Sequence, residues 1–481
     1  MNIIKYKWLI KGCLAGLVLL GLGGCKKFLN QTPENSLTSS EFFKTEADAN
    51  AAIMGVYNSL QQCADEFLTW GEFRGDLVSP LSNNETTYPY YQLFDNTRTA
   101  SIWSQPYNLI GRANIVIERV PEIPALDSRF TQEKSNAIVG EALCLRALAY
   151  FYLVRTFKDV PLVLQAPSND AVEFLLPKST ADVVLDQIEA DLLIAEQGVP
   201  VQYAKPAETK GRITKGAVNA LQADVYLWRG KYAAAAEAAK KVLDNSMYSL
   251  VSGDNWFTIF SQKNSTESIF EIQYDNQLSE TNSLRGISGN FILNPVLFSY
   301  FDAEKDVLRG LNRTYREAGS RTFWKYTGLN TDNIERPTND PNFIIYRRPD
   351  VMLLRAEALA HIGPAEKEQA AALLNEVRKR VSLAPYDFLD KDAPLDLYLD
   401  LILKERAMEL SMEGKRWFDL VRIATNEKNP DILISRVVAG RTVAERAQIR
   451  ARIIDPRSWY LPISRDELNK NPNLEQNTFY K

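Results

Sequence analysis

The chain has 481 residues, 45% of them hydrophobic and 24% charged, with a formal charge of −4. That composition can bury a large core and excludes a disordered chain, and the absence of a basic block argues against a nucleic-acid partner. His361 is the single histidine and there are four cysteines, which excludes any site needing two histidines, argues against a His-based relay and leaves too few ligands for zinc.

The first 25 residues carry their own pattern. A basic start, "MNIIKYKWLIK", precedes an apolar run from Gly12 to Gly24. That run falls short of the ~20 residues a membrane span needs but suits a signal-peptide core. Leu22-Gly23-Gly24-Cys25 reads as a lipobox, cut before a cysteine that then carries acyl chains. The competing reading is a hydrophobic helix that happens to end in cysteine; charge order, length and the small residues before Cys25 favour the lipobox. Residues 1–24 are therefore expected to be a leader and 25–39 a lipidated polar tether. Losing the leader removes Lys5, Lys7 and Lys11 and no acid, taking the formal charge from −4 to −7. One acyl chain holds a membrane only marginally, so stable anchoring at Cys25 needs more than one.

Residues 40–245 read as helical. Ser40 or Thr38 is a candidate cap for a helix through "EADANAAIMGVYNSLQQ", and "SQPYNLIGRANIVIERV", "QEKSNAIVGEALCLRALAYFYLVRTF" and "TADVVLDQIEADLLIAEQ" follow. Cys144 sits on what reads as a buried face of the third of these, so Cys63 and Cys144 are expected as free buried thiols, with a disulfide as the alternative. Next, Ala217, Ala220, Leu221, Val225 and Trp228 keep helical spacing, Gly230 breaks the chain, and Tyr232, Ala236, Ala239 and Leu243 resume it. Small alanines on facing sides let two antiparallel helices approach closely, as in a tetratricopeptide unit. Between these helices, residues 70–103 are turn-rich and aromatic.

Residues 246–345 read as a loop-rich insertion with short hairpin strands such as "SIFEIQY" and "NFILNPVLFSYF". Residues 346–481 return to helices. Val351, Leu354 and Ala358 line one, Gly363-Pro364 breaks it, and Ala370, Leu373, Leu374, Val377 and Val381 line the next. The later stripe of Leu395, Leu399 and Ile402 continues at Arg406, Glu409 and Glu413. Charges prolonging an apolar stripe are expected to pair, because unpaired burial is too costly, and Gly414 is expected to end that helix. Pro462 and Pro472 break the last segment, "WYLPISRDELNKNPNLEQNTFY", into a terminal strap. The oxygen-rich run at 329–342 does not match a calcium loop and reads as solvated. The fold class is thus dominated by α-helix: tetratricopeptide-like repeats carrying long loop and short β-hairpin insertions.

The candidate ligand-binding residues are Trp70, Tyr88, Tyr90 and Tyr91, with Asn84 and Asp95 beside them, and Trp256 and Trp324 as an opposing wall. Sugar rings present flat C–H faces that pack on indole and phenol rings, while their hydroxyls need nearby amides and carboxylates. The competing reading is that these rings anchor their own loops. No catalytic residue, metal or cofactor is assigned.

The chain resembles the SusD/RagB family of outer-membrane nutrient-binding lipoproteins. The likeness is carried by "EFFKTEADANAAIMGVYNSL", "WSQPYNLIGRANIVIERV" and "GEALCLRALAYFYLVRTFKDVPLV" in the first half. "YRRPDVMLLRAEALAHIG", "LLNEVRKRV", "ILKERAMELSMEGKRWFDLVR" and "WYLPISRDELNKNPNLEQNTFY" carry it in the second. The resemblance implies a helical fold with four tetratricopeptide-like pairs and a loop-rich ligand face. It also implies a lid-like partner of a SusC-like TonB-dependent outer-membrane transporter, capturing oligosaccharides or, in some members, peptides. Surface-exported relatives often carry acids soon after the lipid cysteine, whereas Lys26 and Lys27 follow here; outward display is therefore less secure than anchoring. The rival classes are a glycan-cleaving enzyme, which needs two acids across a cleft, and a repeat scaffold with no small ligand.

Overall fold

The first long helix begins where the sequence supplies a cap. In the computed structural model, which describes residues 42–81, 101–166, 175–317 and 321–481, helix α1 spans Glu46–Gln61. Its cap is Thr45 rather than Ser40 or Thr38: the Thr45 hydroxyl accepts from the Asp48 amide, and the Asp48 carboxylate accepts from the Thr45 amide at 2.8 Å. That reciprocal box satisfies two otherwise orphaned donors, which a cap further upstream would not. Cys25 and the tether lie outside the described residues. The chain divides into two units, Met1–Lys44 and Thr45–Lys481.

Within the second unit, α2 (Ala64–Glu72) precedes strand β1 (Val78–Pro80), and α3 (Ser104–Arg119), α4 (Gln132–Phe157) and α5 (Ala181–Gly198) follow. Helices α1 and α3 pack together, as do α3 with α4 and α4 with α5. Among the described residues α4 is the one helix long and apolar enough to cross a membrane, yet 89% of its most apolar window is buried in the protein. It is a core helix. Cys144 on α4 and Cys63 are free and buried, and burial pushes both thiols up.

The alanine-rich hairpin is α6 (Lys215–Trp228) and α7 (Tyr232–Leu243), with Gly230 between them at φ +68°. It packs against the C-terminal pair α9 (Arg348–Ile362) and α10 (Pro364–Arg380) in one core that includes Leu227, Ala236, Leu354, Ala358, Leu374 and Val377. His361 closes α9 as a structural residue. Its ring stacks on Tyr232 at 3.9 Å, and its nitrogens meet the Glu357 carbonyl and the Glu427 carboxylate, each at 2.8 Å.

The insertion differs from its sequence reading in one place. Strand β3 covers only Phe291–Leu293, because Asn294 then caps helix α8 (Pro295–Glu304) by accepting from the Val296 amide at 3.0 Å, with proline at the first helical position. Asparagine followed by proline is a helix start that outweighs the β-type residues after it. With β4 (Tyr315–Glu317) and β5 (Arg321–Phe323), the strands form an antiparallel sheet of order β1-β3-β5-β4; Val78 pairs with Leu293, and Ile292 with Thr322. A second, buried ladder joins β2 (Ser268–Ile272) to β6 (Phe343–Arg347), which runs directly into α9.

The charged stripe of α11 (Leu395–Leu410) is paired throughout. Arg309 reaches Glu405 at 2.7 Å and Glu409 at 2.8 Å, and also holds Asp306. Arg347 reaches Glu413 at 2.8 Å and Glu267 at 3.2 Å, as well as Glu409. Arg380 joins Glu267 to Glu409, and Lys325 holds Glu413 at 2.8 Å. These side chains are at most 4% exposed. A second group links Arg406 to Asp350 and Asp419, and Arg422 to Glu357.

Helix α11 ends at Leu410, four residues before Gly414, because the Glu72 carboxylate takes the Met412 amide at 2.9 Å and the chain turns there. Trp417 and Phe418, on α12 (Arg416–Asn426), are 1% exposed. Helices α13 (Asp431–Val438) and α14 (Val443–Ile453) follow. The terminal strap is fastened to α4: the Leu461 amide donates to Thr156 and the Asn477 amide group to Phe157.

Candidate functional site

The three tryptophans expected to face ligand are enclosed. Trp70 is 1% exposed on α2 and meets Phe157 edge-on at 5.4 Å. Trp256 is fully buried against Phe260, and its ring nitrogen donates to Glu409 at 3.1 Å. Trp324 is also fully buried; its nitrogen donates to the Asn330 carbonyl at 2.8 Å, while the Arg316 guanidinium lies 4.6 Å above the ring. The physical reason is shared. An indole has one polar atom, and in Trp256 and Trp324 that atom has an internal acceptor, so the ring is free to fill the core. Tyr88, Tyr90, Tyr91, Asn84 and Asp95 lie outside the described residues.

Trp324 nevertheless points to a surface feature one layer out. Arg316, stacked on its ring, pairs with Glu335 at 2.5 Å, and Arg285 meets the other oxygen of the same carboxylate at 3.1 Å. The two guanidiniums hold the Glu335 carboxyl below the usual carboxylate range. This triad rims a groove of about 750 Å³, lined also by Asn282, Asn290, Thr322 and Asn339. At Gly286 and Gly289 a Cβ would meet no atom within 4 Å, so the backbone of this wall stands clear.

The sheet brings the chain to the groove wall just before the aromatic segment of the sequence begins. Leu81, the last described residue before positions 82–100, donates its amide to the Asn290 carbonyl at 2.9 Å, on the groove wall. Thr322 and Phe323 of β5 form part of the lining, and β5 is the partner of both β3 and β4. Nothing in the sequence pattern marks Arg285, Arg316 or Glu335. Arg285 and Glu335 stand 50 residues apart and Arg316 and Glu335 19 apart, separations over which no local pattern reports a contact.

A second groove, of about 800 Å³, is lined by Met54, Tyr57, Gln61, Arg212, Gln273 and Tyr274. Several of its polar groups are already committed to holding its walls. Tyr57 and Arg212 both bond to Glu141, the Gln61 side chain donates to the Gln273 carbonyl at 2.8 Å, and the Tyr274 hydroxyl donates to the Gln61 carbonyl. The first groove is the better candidate for a polyhydroxylated ligand, because it offers amides, hydroxyls and a carboxylate–guanidinium triad at one surface. Among the described residues no group of three or more His, Cys, Asp or Glu is arranged to hold a metal ion.

Comparison with known proteins agrees with this architecture. A family model described as the SusD family matches residues 297–480, and one described as starch-binding and associating with the outer membrane matches residues 27–227. A SusD-like protein of Formosa agariphila is 28% identical, with 96% of this chain and 98% of the relative covered. A SusD-like protein of Bacteroides ovatus is 24% identical over 85% of this chain and 81% of its own length. Among solved structures, a SusD superfamily protein of Bacteroides thetaiotaomicron superimposes with a TM-score of 0.73 at 25% identity, covering 91% of this chain and 99% of the other. A laminarin-binding SusD-like protein does so with a TM-score of 0.71 at 25% identity, covering 91% and 100%. With helix pairs, insertion and strap all in place, the chain belongs to the SusD/RagB family.

Proposed function

We propose that this protein captures an oligosaccharide at the outer membrane, tethered by acyl chains on Cys25, and passes it to a SusC-like TonB-dependent transporter. The observation that carries the reading is the polar groove at Arg285, Arg316 and Glu335, where Leu81 leads into the segment holding three tyrosines. In this reading Tyr88, Tyr90 and Tyr91 pack on the C–H faces of the sugar. Asn84 and Asp95, with the groove's amides and guanidiniums, take its hydroxyls. The description of one matching family as starch-binding and outer-membrane-associated supports the ligand class and the location, and the laminarin-binding neighbour supports a glucan. Both oxygens of Glu335, the one carboxylate in the described groove lining, are held by guanidiniums, which favours holding a ligand over donating a proton to a glycosidic oxygen.

Calorimetry against starch-derived and laminarin-derived oligosaccharides and a peptide panel tests the proposal. Wild type would be run beside Tyr90→Ala/Tyr91→Ala and Arg316→Ala. Saccharide binding weakened about ten-fold or more in either variant, ~1.4 kcal/mol, is the expected result. Binding to peptides alone would move the protein to peptide capture. Saccharide binding unchanged in both variants would move the site, with the groove at Met54 and Tyr274 next in line. Release of shortened sugars on incubation would make the protein an enzyme.

A further inference from the structure

Helix α14 has two apolar faces, and one of them looks into solvent. Ile449 and Ile453 are 1% exposed, and the helix packs against α13 and the turn Pro456–Trp459. At 100° per residue, Val443, Ala447, Ala451 and the following Ile454 fall within about 80° of one another on a different face. All four are exposed, Val443 by 83% and Ile454 by 59%. No charged residue interrupts that strip. Arg446 and Arg450, both exposed, run along its margin.

The charge around the strip runs against that of the molecule. From Arg441 to Arg457 there are five arginines against two acids, in a chain whose formal charge is −4. Both acids are committed. Glu445 completes the helix cap by accepting from the Thr442 amide at 2.9 Å, and Asp455 holds Arg457 at 2.6 Å. The Arg446 Nε donates to the Arg441 carbonyl at 2.8 Å, and Asp431 stands 4.0 Å from Arg450. The margin of the strip therefore keeps its positive charge.

We propose that α14 docks on an anionic lipid surface. Val443, Ala447, Ala451 and Ile454 would face the boundary between headgroups and acyl chains, and Arg446 and Arg450 the headgroup phosphates. Charge complementarity selects the partner: two copies meeting strip to strip would set like-charged margins against each other, whereas headgroup phosphates attract them. The strip's make-up agrees. Valine, two alanines and isoleucine present neither an aromatic anchor nor a pocket, the features that centre protein–protein interfaces, whereas a lipid surface demands only a shallow apolar strip with cationic flanks. The contact is weak by itself, and its effect is to set which side of the protein lies against the membrane. It needs neither saccharide capture nor acylation of Cys25.

Hydrogen exchange on the full chain tests this directly. Exchange across residues 442–455 would be followed with vesicles of phosphatidylcholine alone and with phosphatidylglycerol added. The expected result is slower exchange in that segment with the anionic vesicles only, reversed by high salt. Each arginine at an anionic surface is worth roughly a five-fold factor, so Arg446→Gln/Arg450→Gln should raise the lipid concentration needed for half protection by roughly 25-fold. Val443→Ser, which leaves the charge and the buried face intact, should also raise it. The proposal is overturned by equal exchange with both vesicles, or by protection that survives in the double variant. Protection that appears with protein concentration in the absence of lipid would also overturn it, assigning the strip to a second copy.

Discussion

Gly71 and Gly414 let two stretches of backbone meet where no side chain fits. A Cβ on Gly71 would lie 1.8 Å from the Gly414 carbonyl oxygen, and one on Gly414, at φ +71°, would lie 2.9 Å from the Phe67 carbonyl. Gly71 belongs to α2, where helix propensity alone gives alanine an advantage of about 1 kcal/mol over glycine. The clash is with backbone and has no rotamer to relieve it, so Gly71→Ala should instead destabilise by roughly 3 kcal/mol. The sign of the shift in a urea midpoint decides between the two. Beside it, Glu72 is fully buried, and desolvation pushes its carboxyl up to about 7, against the partial help of the Met412 amide, Lys325 and Arg416. Its folded pKa exceeds the unfolded one, so between about pH 4.5 and pH 7 the folded state keeps a proton that the unfolded state has lost. Stability therefore falls as pH rises through that window. Glu72→Gln retains an oxygen for the Met412 amide and removes the penalty. It should stabilise the protein at pH 8 by up to roughly 3 kcal/mol, with little effect at pH 4; equal denaturation midpoints at the two pH values for wild type and variant would refute this.

At the scale of elements, helices were the legible part of the sequence, because their period, caps and breaks are local. The spacing around Gly230 and Gly363-Pro364 locates the turns of both helix hairpins to within a residue or two. Strand pairing and the direction of single rings were not legible. Trp256 and Trp324 sit in an insertion that reads as loop, and only the arrival of Glu409 from α11 and of the Asn330 carbonyl turns them inward. The charges of α11 could be assigned to pairing, but not their partners, which come from up to 100 residues away. Glu409 is the test of that pairing. It meets Arg309, Arg347, Arg380 and the Trp256 ring nitrogen, and the three guanidiniums hold its carboxyl well below the usual range against the cost of burial. Glu409→Gln leaves those arginines short of a counter-charge in a site that excludes water, and should cost roughly 3–5 kcal/mol. Asp244→Asn, removing the exposed partner of Lys240, should leave stability nearly unchanged. Comparable losses in the two variants would mean that the buried cluster is not the tie it resembles.

For the molecule as a whole, that cluster joins parts that the sequence presents as separate. Glu267, Asp306, Arg309, Lys325 and Arg347 come from the insertion and its last strand, while Arg378, Arg380, Glu405 and Glu409 come from the C-terminal helices and Glu413 from the turn after α11. The candidate groove hangs on the same insertion, with Arg316 stacked on Trp324 immediately before Lys325. Ligand surface and helical frame should therefore unfold together. Glu409, Glu413, Asp350 and Asp419 all have carboxyls held below their ordinary values, in each case by arginines or lysines that offset desolvation. A depressed folded pKa adds stability that is present above the unfolded value, ~4, and is lost as pH falls through the folded value. The expected outcome is a single cooperative acid transition below about pH 4, with the same midpoint by tryptophan fluorescence and by far-ultraviolet dichroism. Fluorescence sums all eight tryptophans, of which Trp256 and Trp324 stand in the insertion and would carry any early change there, whereas dichroism reports the helices as a set. Were the insertion an independently stable loop layer, fluorescence would change at a higher pH than helix content. In that case the buried ion pairs would be incidental to the architecture, and the groove could be remodelled without cost to the frame.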